Sequence, residues 1–487
     1  MSDSAPVKAD EPRTYEKEEL KHGLKNRHIQ MIAIGGAIGT GLFYGSSIAI
    51  QFAGPAVILT YVFVGLIIYF IMRANGEVTV EEPVSGSYAS YAGRYLHRFW
   101  GFFMGWNVIF IFTVGNAAEF NALGRYIQYW FAGVPIWVTS LVGICVVGII
   151  NLVAVAAFGE TEFWLAIIKV SAIIAMIIFG LFIIFTGIGN GGQHVGTMNL
   201  FGLPGGFLPN GIKGLLMALT MAAFSFGGVE GLSNTAGETT DVKKTLPRAT
   251  NSLFWRILVF YVGAMTVMVT LFPWDQIGTK TSPFVTVFSK IGIPAAAGII
   301  NFVVITAALS ALNSGIYVTS RMLYNQSINH NAPTWFSKVN TRGVPYRAII
   351  AILIANLFSV IANLLMPETA FGLFSATTVL GLISIWATIL CVQLVYRKRR
   401  MKAGTADTMI FKMPLYPWAN YIALAFLLLV VVMIGFIPFM RSALYIEPIW
   451  IVLVYVLYLV FVRNKIPAPV YGDGEPPALA NLFKSSK

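Results

Sequence analysis

Apolar residues come in long blocks along this chain, and polar residues gather between the blocks. "GPAVILTYVFVGLIIYFIM" (54–72), "WVTSLVGICVVGIINLVAVAAF" (137–158) and "YIALAFLLLVVVMIGFI" (421–437) are three of them. Each is close to the roughly 20 residues that a helix needs to cross a bilayer. The pattern predicts about twelve spans, near 29–50, 54–72, 101–130, 136–157, 163–186, 211–233, 252–272, 295–325, 347–366, 370–396, 415–437 and 446–463, numbered 1 to 12 below. Residues 1–28 and 467–487 are left as polar tails. No segment between spans is long enough for a second folded domain, so the expected fold class is an all-α polytopic membrane protein.

Composition sharpens this picture. Hydrophobic residues make up 57% of the chain and charged residues 11%, where soluble domains run at roughly a quarter charged. So few charges cannot cover a water-soluble core. The net charge of +12 raises nucleic acid as a partner, but its placement argues otherwise. Basic residues collect in the N-terminal tail (Lys17, Lys21, Lys25, Arg27) and after spans 2, 6, 8, 10 and 12, as in Arg73, Lys243, Lys338, the run "RKRRMK" (397–402) and Arg463. The connection 187–210 holds none. This is the positive-inside pattern, which predicts both termini in the cytoplasm and no nucleic-acid partner. The polar first thirty residues hold no apolar stretch with a cleavage site, so no cleavable leader is expected before span 1. Cys145 and Cys391 lie in separate apolar blocks and imply neither a disulfide nor a metal cage.

Span 1 contains "IAIGGAIGTGLF" (32–43), four glycines and a threonine in an otherwise apolar stretch. Two readings compete. Gly35–Gly39 and Gly41–Gly45 are GxxxG spacings that let another helix approach closely. Alternatively, the helix breaks near Ile38, Gly39, Thr40 and Gly41. The second half-helix would then present backbone N–H groups that suit a carboxylate. Span 6, five spans later, reads "AAFSFGGVEGLSNTAGE" (222–238) and repeats the interruption. Paired interruptions at corresponding places in two halves are the mark of inverted-repeat transporters, which favours the break. Irregular backbone at this depth is tolerated where it lines a cavity, so a central binding site is expected.

Ionisable residues inside spans are few and costly there, which makes each a functional candidate. They are Glu119 in span 3, Lys169 in span 5 and Glu230 in span 6. Glu230 suits either a cap on N–H groups freed by the break or a proton carrier. Glu119 suits either a polar partner or a relay. All five histidines fall outside spans or at their ends, which argues against a histidine relay and against a metal or haem site in the membrane. The glycines of span 1 do not form the dinucleotide fingerprint, and no phosphate-binding Walker sequence appears; no cofactor is expected.

"LKNRHIQMIAIGGAIGTGLFYGS" (24–46), "EEPVSGSYASYA" (81–92), "GETEFWLAIIKV" (159–170), "FSFGGVEG" (224–231), "LPRATNSLFWRILVFY" (246–261), "LNSGIYVTSRMLY" (312–324) and "RGVP" (342–345) together resemble bacterial amino-acid permeases of the amino acid–polyamine–organocation superfamily. The likeness runs from about residue 20 to about 465, nearest the aromatic, proline, lysine and D-alanine/glycine branch. It implies the leucine-transporter fold, with a transmembrane domain over 29–466. Inverted repeats of five spans would occupy about 29–186 and 211–396, with two trailing helices at 415–463. It implies uptake of α-amino acids, with a proton as coupling ion, across the cytoplasmic membrane. It puts the substrate carboxylate on N–H groups near Gly39, Thr40 and Gly41, and the ammonium on carbonyls freed around Ala223, Phe224 and Ser225. Lys169 stands where the family carries a lysine, beside the place of a sodium ion in sodium-coupled relatives. A fixed ammonium there replaces the ion and is a candidate to pass a proton on; a static pair with a carboxylate is the alternative.

Side-chain selectivity then falls to Phe226, Asn116, Ser310, Asn313 and Phe374, for each of which ordinary packing is an equal reading. Span 3 departs from the family pattern, lacking the aromatic pair after "GWN" and placing Asn116 where glycine is common. The likeness to the aromatic branch therefore does not assign aromatic substrates. An amino-acid exchanger on the same fold and an amino-acid-sensing receptor are the alternatives. The short tails weigh against the receptor. No nucleophile–base cluster at membrane depth suggests an enzyme.

Overall fold

The computed structural model describes residues 38–83, 87–153, 155–187, 194–230, 242–278, 282–290 and 294–463. Both predicted tails, the first part of span 1 and the end of span 6 lie outside the described residues. Each of the twelve predicted spans has a helix. Among the described residues, ten runs are long and apolar enough to cross a bilayer, and the run Gly41–Glu81 contains the described part of span 1 together with span 2. Span 6 is represented by the shorter helix Gly211–Ser225. No strand occurs among the described residues.

Spans 1 and 2 are parted by a single turn at Gly54–Ala56. Gly54 takes φ +60°, and a Cβ there would lie 2.4 Å from Pro209 Cγ, so both its conformation and its surroundings require glycine. The outer surfaces of the helices carry large apolar side chains such as Phe185, Ile354, Leu428 and Ile449, all exposed. A surface of this kind suits contact with hydrocarbon, where helices satisfy their own backbone groups.

Packing between helices follows an exchange of spans 1–5 with 6–10. Span 3 packs on span 10 and span 8 on span 5; span 3 packs on span 9 and span 8 on span 4. Spans 1 and 6, 2 and 7, 3 and 8, and 4 and 9 pair with their own counterparts. Two short helices obey the same exchange. Ser87–Tyr95 lies on spans 3 and 10, and Pro283–Lys290 lies on span 8 and reaches span 5 through stacked Phe288 and Phe179. Five crossings leave the chain on the opposite face of the bilayer, so the second repeat runs inverted relative to the first. Spans 11 and 12 sit beside span 10 and outside the repeats.

At the basic face, the connection between spans 10 and 11 forms a strap across the end of span 2. Arg73, Glu77 and Glu81 are one turn apart along span 2 and grip its backbone. Arg73 donates to the Lys412 carbonyl, Glu77 accepts from the Met413 N–H at 2.5 Å, and Glu81 accepts from the Ile410 N–H at 2.9 Å. The Arg73 guanidinium lies 3.8 Å from the Phe411 ring centroid. Gln393 at 2.9 Å and Arg397 at 2.8 Å complete the shell around the fully buried Glu77.

Candidate functional site

Among the described residues, the helix of span 1 begins at the glycine-rich stretch. The Gly39 carbonyl accepts from the N–H groups of Leu42 at 3.2 Å and Phe43 at 3.4 Å. A π-helical turn Gly41–Gly45 then leads into Ser46–Ala53. First-turn amides of a helix find no carbonyl within it, so this end carries partial positive charge. It abuts span 6 directly: a Cβ on Gly41 would lie 2.5 Å from Ser225 Cα and 3.2 Å from the Phe224 carbonyl oxygen. Only glycine permits this approach.

The described helix of span 6, Gly211–Ser225, ends at the point of contact. After Ser225 the chain tightens, with Phe226 N–H donating to the Ala223 carbonyl and Gly227 N–H to the Phe224 carbonyl, both at 3.1 Å. Gly228 turns the chain away with φ +99°. Glu230 folds back so that both carboxylate oxygens accept from the Gly228 N–H at 3.2 Å. The Ser225 carbonyl accepts from the Tyr261 hydroxyl at 3.0 Å, and the Tyr61 hydroxyl meets Ser225 Oγ at 3.0 Å. The carbonyls expected to be free therefore each carry one hydrogen bond, leaving one lone pair apiece for a cation.

Span 3 brings Glu119 to the same place, where Oε1 would lie 3.3 Å from a Cβ on Gly39. The Glu119 carboxyl is beside Thr40. Thr40 Oγ1 and Glu119 Oε2 are nevertheless buried without a hydrogen bond of ordinary length. Lys169 arrives from span 5 and is fully buried. Its ammonium donates to the Ile38 carbonyl at 3.1 Å and to Ser310 Oγ at 2.8 Å. Ser310 in turn donates to Glu162 Oε1 in a short bond. Gly39, Glu119, Ala311, Ser314, Gly227 and Gly228 are partly exposed while most of their neighbours are buried. Toward the face opposite the basic one, Tyr44 covers the junction, edge-on to Phe371 at 4.5 Å and to Tyr126 at 6.1 Å.

The remaining candidates divide. Asn116 lies against span 8, with Oδ1 filling the place of a Cβ on Gly315 and Nδ2 buried without a partner. Asn313 points to span 4, where its Oδ1 accepts from Asn151 Nδ2 at 2.9 Å. Phe226 stacks on Tyr261 at 4.5 Å and packs near Tyr61, and Phe374 packs edge-on to Phe358 of span 9. The rings of Phe226 and Phe374 thus join helices together. Sequence reasoning passed over Glu162, Tyr61 and Tyr261. For Glu162 a signal existed, because it stands seven residues before Lys169 and so shares its helix face. The tyrosines carry no such mark.

A helix start and a helix end in backbone contact, with buried lysine and carboxylates around them, match the chemistry of a zwitterion carrier. The model of the amino acid permease family matches residues 28–468. The chain belongs to the amino acid permease family. Among similar proteins is the uncharacterized amino acid permease YtnA of Bacillus subtilis, 44% identical over 91% of this chain and 95% of that protein. The aromatic amino acid transport protein AroP of Escherichia coli K12 is 44% identical over 91% of this chain and 96% of its own length. The probable threonine/serine transporter YbxG of Bacillus subtilis is 45% identical over 92% and 96%. This permease is a multi-pass membrane protein of amino-acid transport. Relatives named for aromatic and for small hydroxylated substrates lie at nearly equal distance, so overall identity does not select between those side chains.

Proposed function

We propose that this permease imports α-amino acids by proton symport across the cytoplasmic membrane, with its basic face and both termini in the cytoplasm. The observation that carries the reading is the contact of Gly41 with the Ser225 backbone. It sets the positive end of one helix beside the negative end of another, which is the charge pattern of an α-amino acid. The substrate carboxylate takes the amides of Gly39, Thr40 and Gly41. Its ammonium takes the open lone pairs of the Ala223, Phe224 and Ser225 carbonyls. Lys169 holds the Ile38 carbonyl at the edge of this site and carries the coupling proton. Glu230 steadies the turn at Gly228, and Glu119 faces the junction from span 3.

Uptake of a panel of radiolabelled amino acids into proteoliposomes, with and without an inward proton gradient, tests this reading. Gradient-driven accumulation that collapses in Lys169→Ala is the expected result. Exchange indifferent to the gradient would overturn symport and favour the antiporter, and binding without flux would favour a sensor.

A further inference from the structure

Lys169, Ser310 and Glu162 form a hydrogen-bonded file in the interior. All three are fully buried. The direction of the file is set by donor chemistry. An ammonium only donates, so Ser310 Oγ accepts from Lys169 at 2.8 Å. That leaves its single proton to point at Glu162 Oε1, where the short bond is found. The other oxygen of Glu162, Oε2, is buried and has no partner. The backbone positions of Lys169 and Glu162 are two turns of span 5 apart, about 10 Å at 1.5 Å per residue, and their side chains converge on Ser310 Oγ. Glu162 is the end nearer the basic face, because span 5 enters the bilayer there. The charged groups acting on Lys169 are Glu162 and, from span 3 across the junction, Glu119.

A purely structural counter-ion would fill its second oxygen with donors, since an unmet buried acceptor forfeits the hydration it had in water. The bare oxygen and the one-way file suit a group that takes a proton and gives it up again. Resting on the symport reading, we infer that Glu162 is the exit station for the coupling proton, reached from Lys169 through the Ser310 hydroxyl. In the transfer, an Nζ–H bond of Lys169 breaks as Ser310 Oγ gains that proton. The original Oγ–H bond breaks as Glu162 Oε1 gains the other. An ammonium and a carboxylate become an amine and a carboxylic acid, so no net charge is left buried. The charge-assisted bond from Lys169 to the Ile38 carbonyl becomes an ordinary one. The hold on the start of span 1 thereby loosens as the proton leaves. Glu162 then releases its proton to water when the basic face opens.

Proteoliposomes containing the full chain distinguish the possibilities, read in two ways. One is accumulation driven by a proton gradient, together with proton entry followed by a trapped pH dye. The other is exchange of substrate at equal pH on both sides. For Glu162→Gln and Ser310→Ala, the ratio of driven accumulation to exchange should fall about tenfold or more, and substrate-linked proton entry should be lost. Ser310→Thr, which keeps a hydroxyl, should restore the ratio. Glu162→Gln with wild-type accumulation and proton entry would overturn the relay while leaving symport standing. Equal loss of accumulation and exchange in Ser310→Ala, with the ratio unchanged, would also overturn it. A wild-type protein indifferent to the gradient would instead remove the symport reading itself.

Discussion

Glu77 and Glu162 are both carboxylates with no exposed surface, yet they are held in opposite ways. Glu77 sits in a closed shell of Gln393, Arg397 and the Met413 N–H. Glu162 has one hydroxyl donor and one bare oxygen. The same contrast extends around them. The strap grips span 2 through Arg73, Glu77 and Glu81, each meeting backbone. At the junction of spans 1 and 6, Thr40 Oγ1 and Glu119 Oε2 lie beside each other without a hydrogen bond of ordinary length, and Asn116 Nδ2, on span 3 against span 8, is left without a partner. A buried charge with both oxygens met serves as a clamp, because removing any partner strands the rest. A buried polar group left partly unmet carries a standing cost, which is accepted where a ligand or a proton completes it.

The largest expected effect tests the geometric heart of the junction. Gly41→Val drives a branched side chain into the Ser225 backbone, and transport should fall to background in a liposome uptake assay. Wild-type uptake in that variant would show that the two helix ends do not need to touch. Next comes the clamp. Glu77→Ala strands Arg397 and Gln393 and should cost about 3–5 kcal/mol, seen as a marked drop in melting temperature of the purified protein. Glu162→Gln should lower the melting point far less, since it removes an incompletely satisfied group. Equal losses for the two would erase the distinction between clamp and site.

A smaller effect is expected of Tyr261→Phe, which frees the Ser225 carbonyl. Loss of one hydrogen bond is worth about 1 kcal/mol, or roughly a fivefold change in apparent substrate affinity. An unchanged affinity would remove that carbonyl from the site. The smallest effect lies outside the membrane. His97 caps span 3 by accepting from the Phe99 N–H through Nδ1 at 3.1 Å. Burial, and then Arg463 and Arg98, push its pKa below the usual value. The folded state thus prefers the neutral ring. The cap's contribution is complete above the unfolded pKa and declines as pH falls below it. His97→Asn should remove that acid-side loss, measured as melting temperature against pH, while changing stability by about 1 kcal/mol or less.

Much of this was legible in the chain itself. Blocks of apolar residues can be nothing but spans, because no other backbone arrangement of that length meets its own hydrogen bonds in lipid. The paired glycine clusters pointed to the place where span 1 meets span 6, since glycine in a span is costly unless something needs the room. Lys169 was visible for the same reason, as a charge where charge is expensive. Less visible was what each polar residue faces. Phe226 and Asn313 lie in the right spans but turn to spans 2 and 7 and to span 4. The carbonyls of span 6 proved partly satisfied, through a tightened turn and a tyrosine from span 7.

By itself, then, the sequence determined where the spans lie, where their glycines cluster and which charges sit at costly depth. Those properties follow from local composition measured against the thickness of a bilayer. Only the tertiary structure decided that Gly41 meets Ser225, that Ser310 stands between Lys169 and Glu162, and that Glu77 is sealed beneath the strap. Each of these joins residues more than a hundred positions apart, Lys169 and Glu162 excepted. Such meetings depend on how helices rotate and lean against one another, which side-chain packing settles and local composition does not.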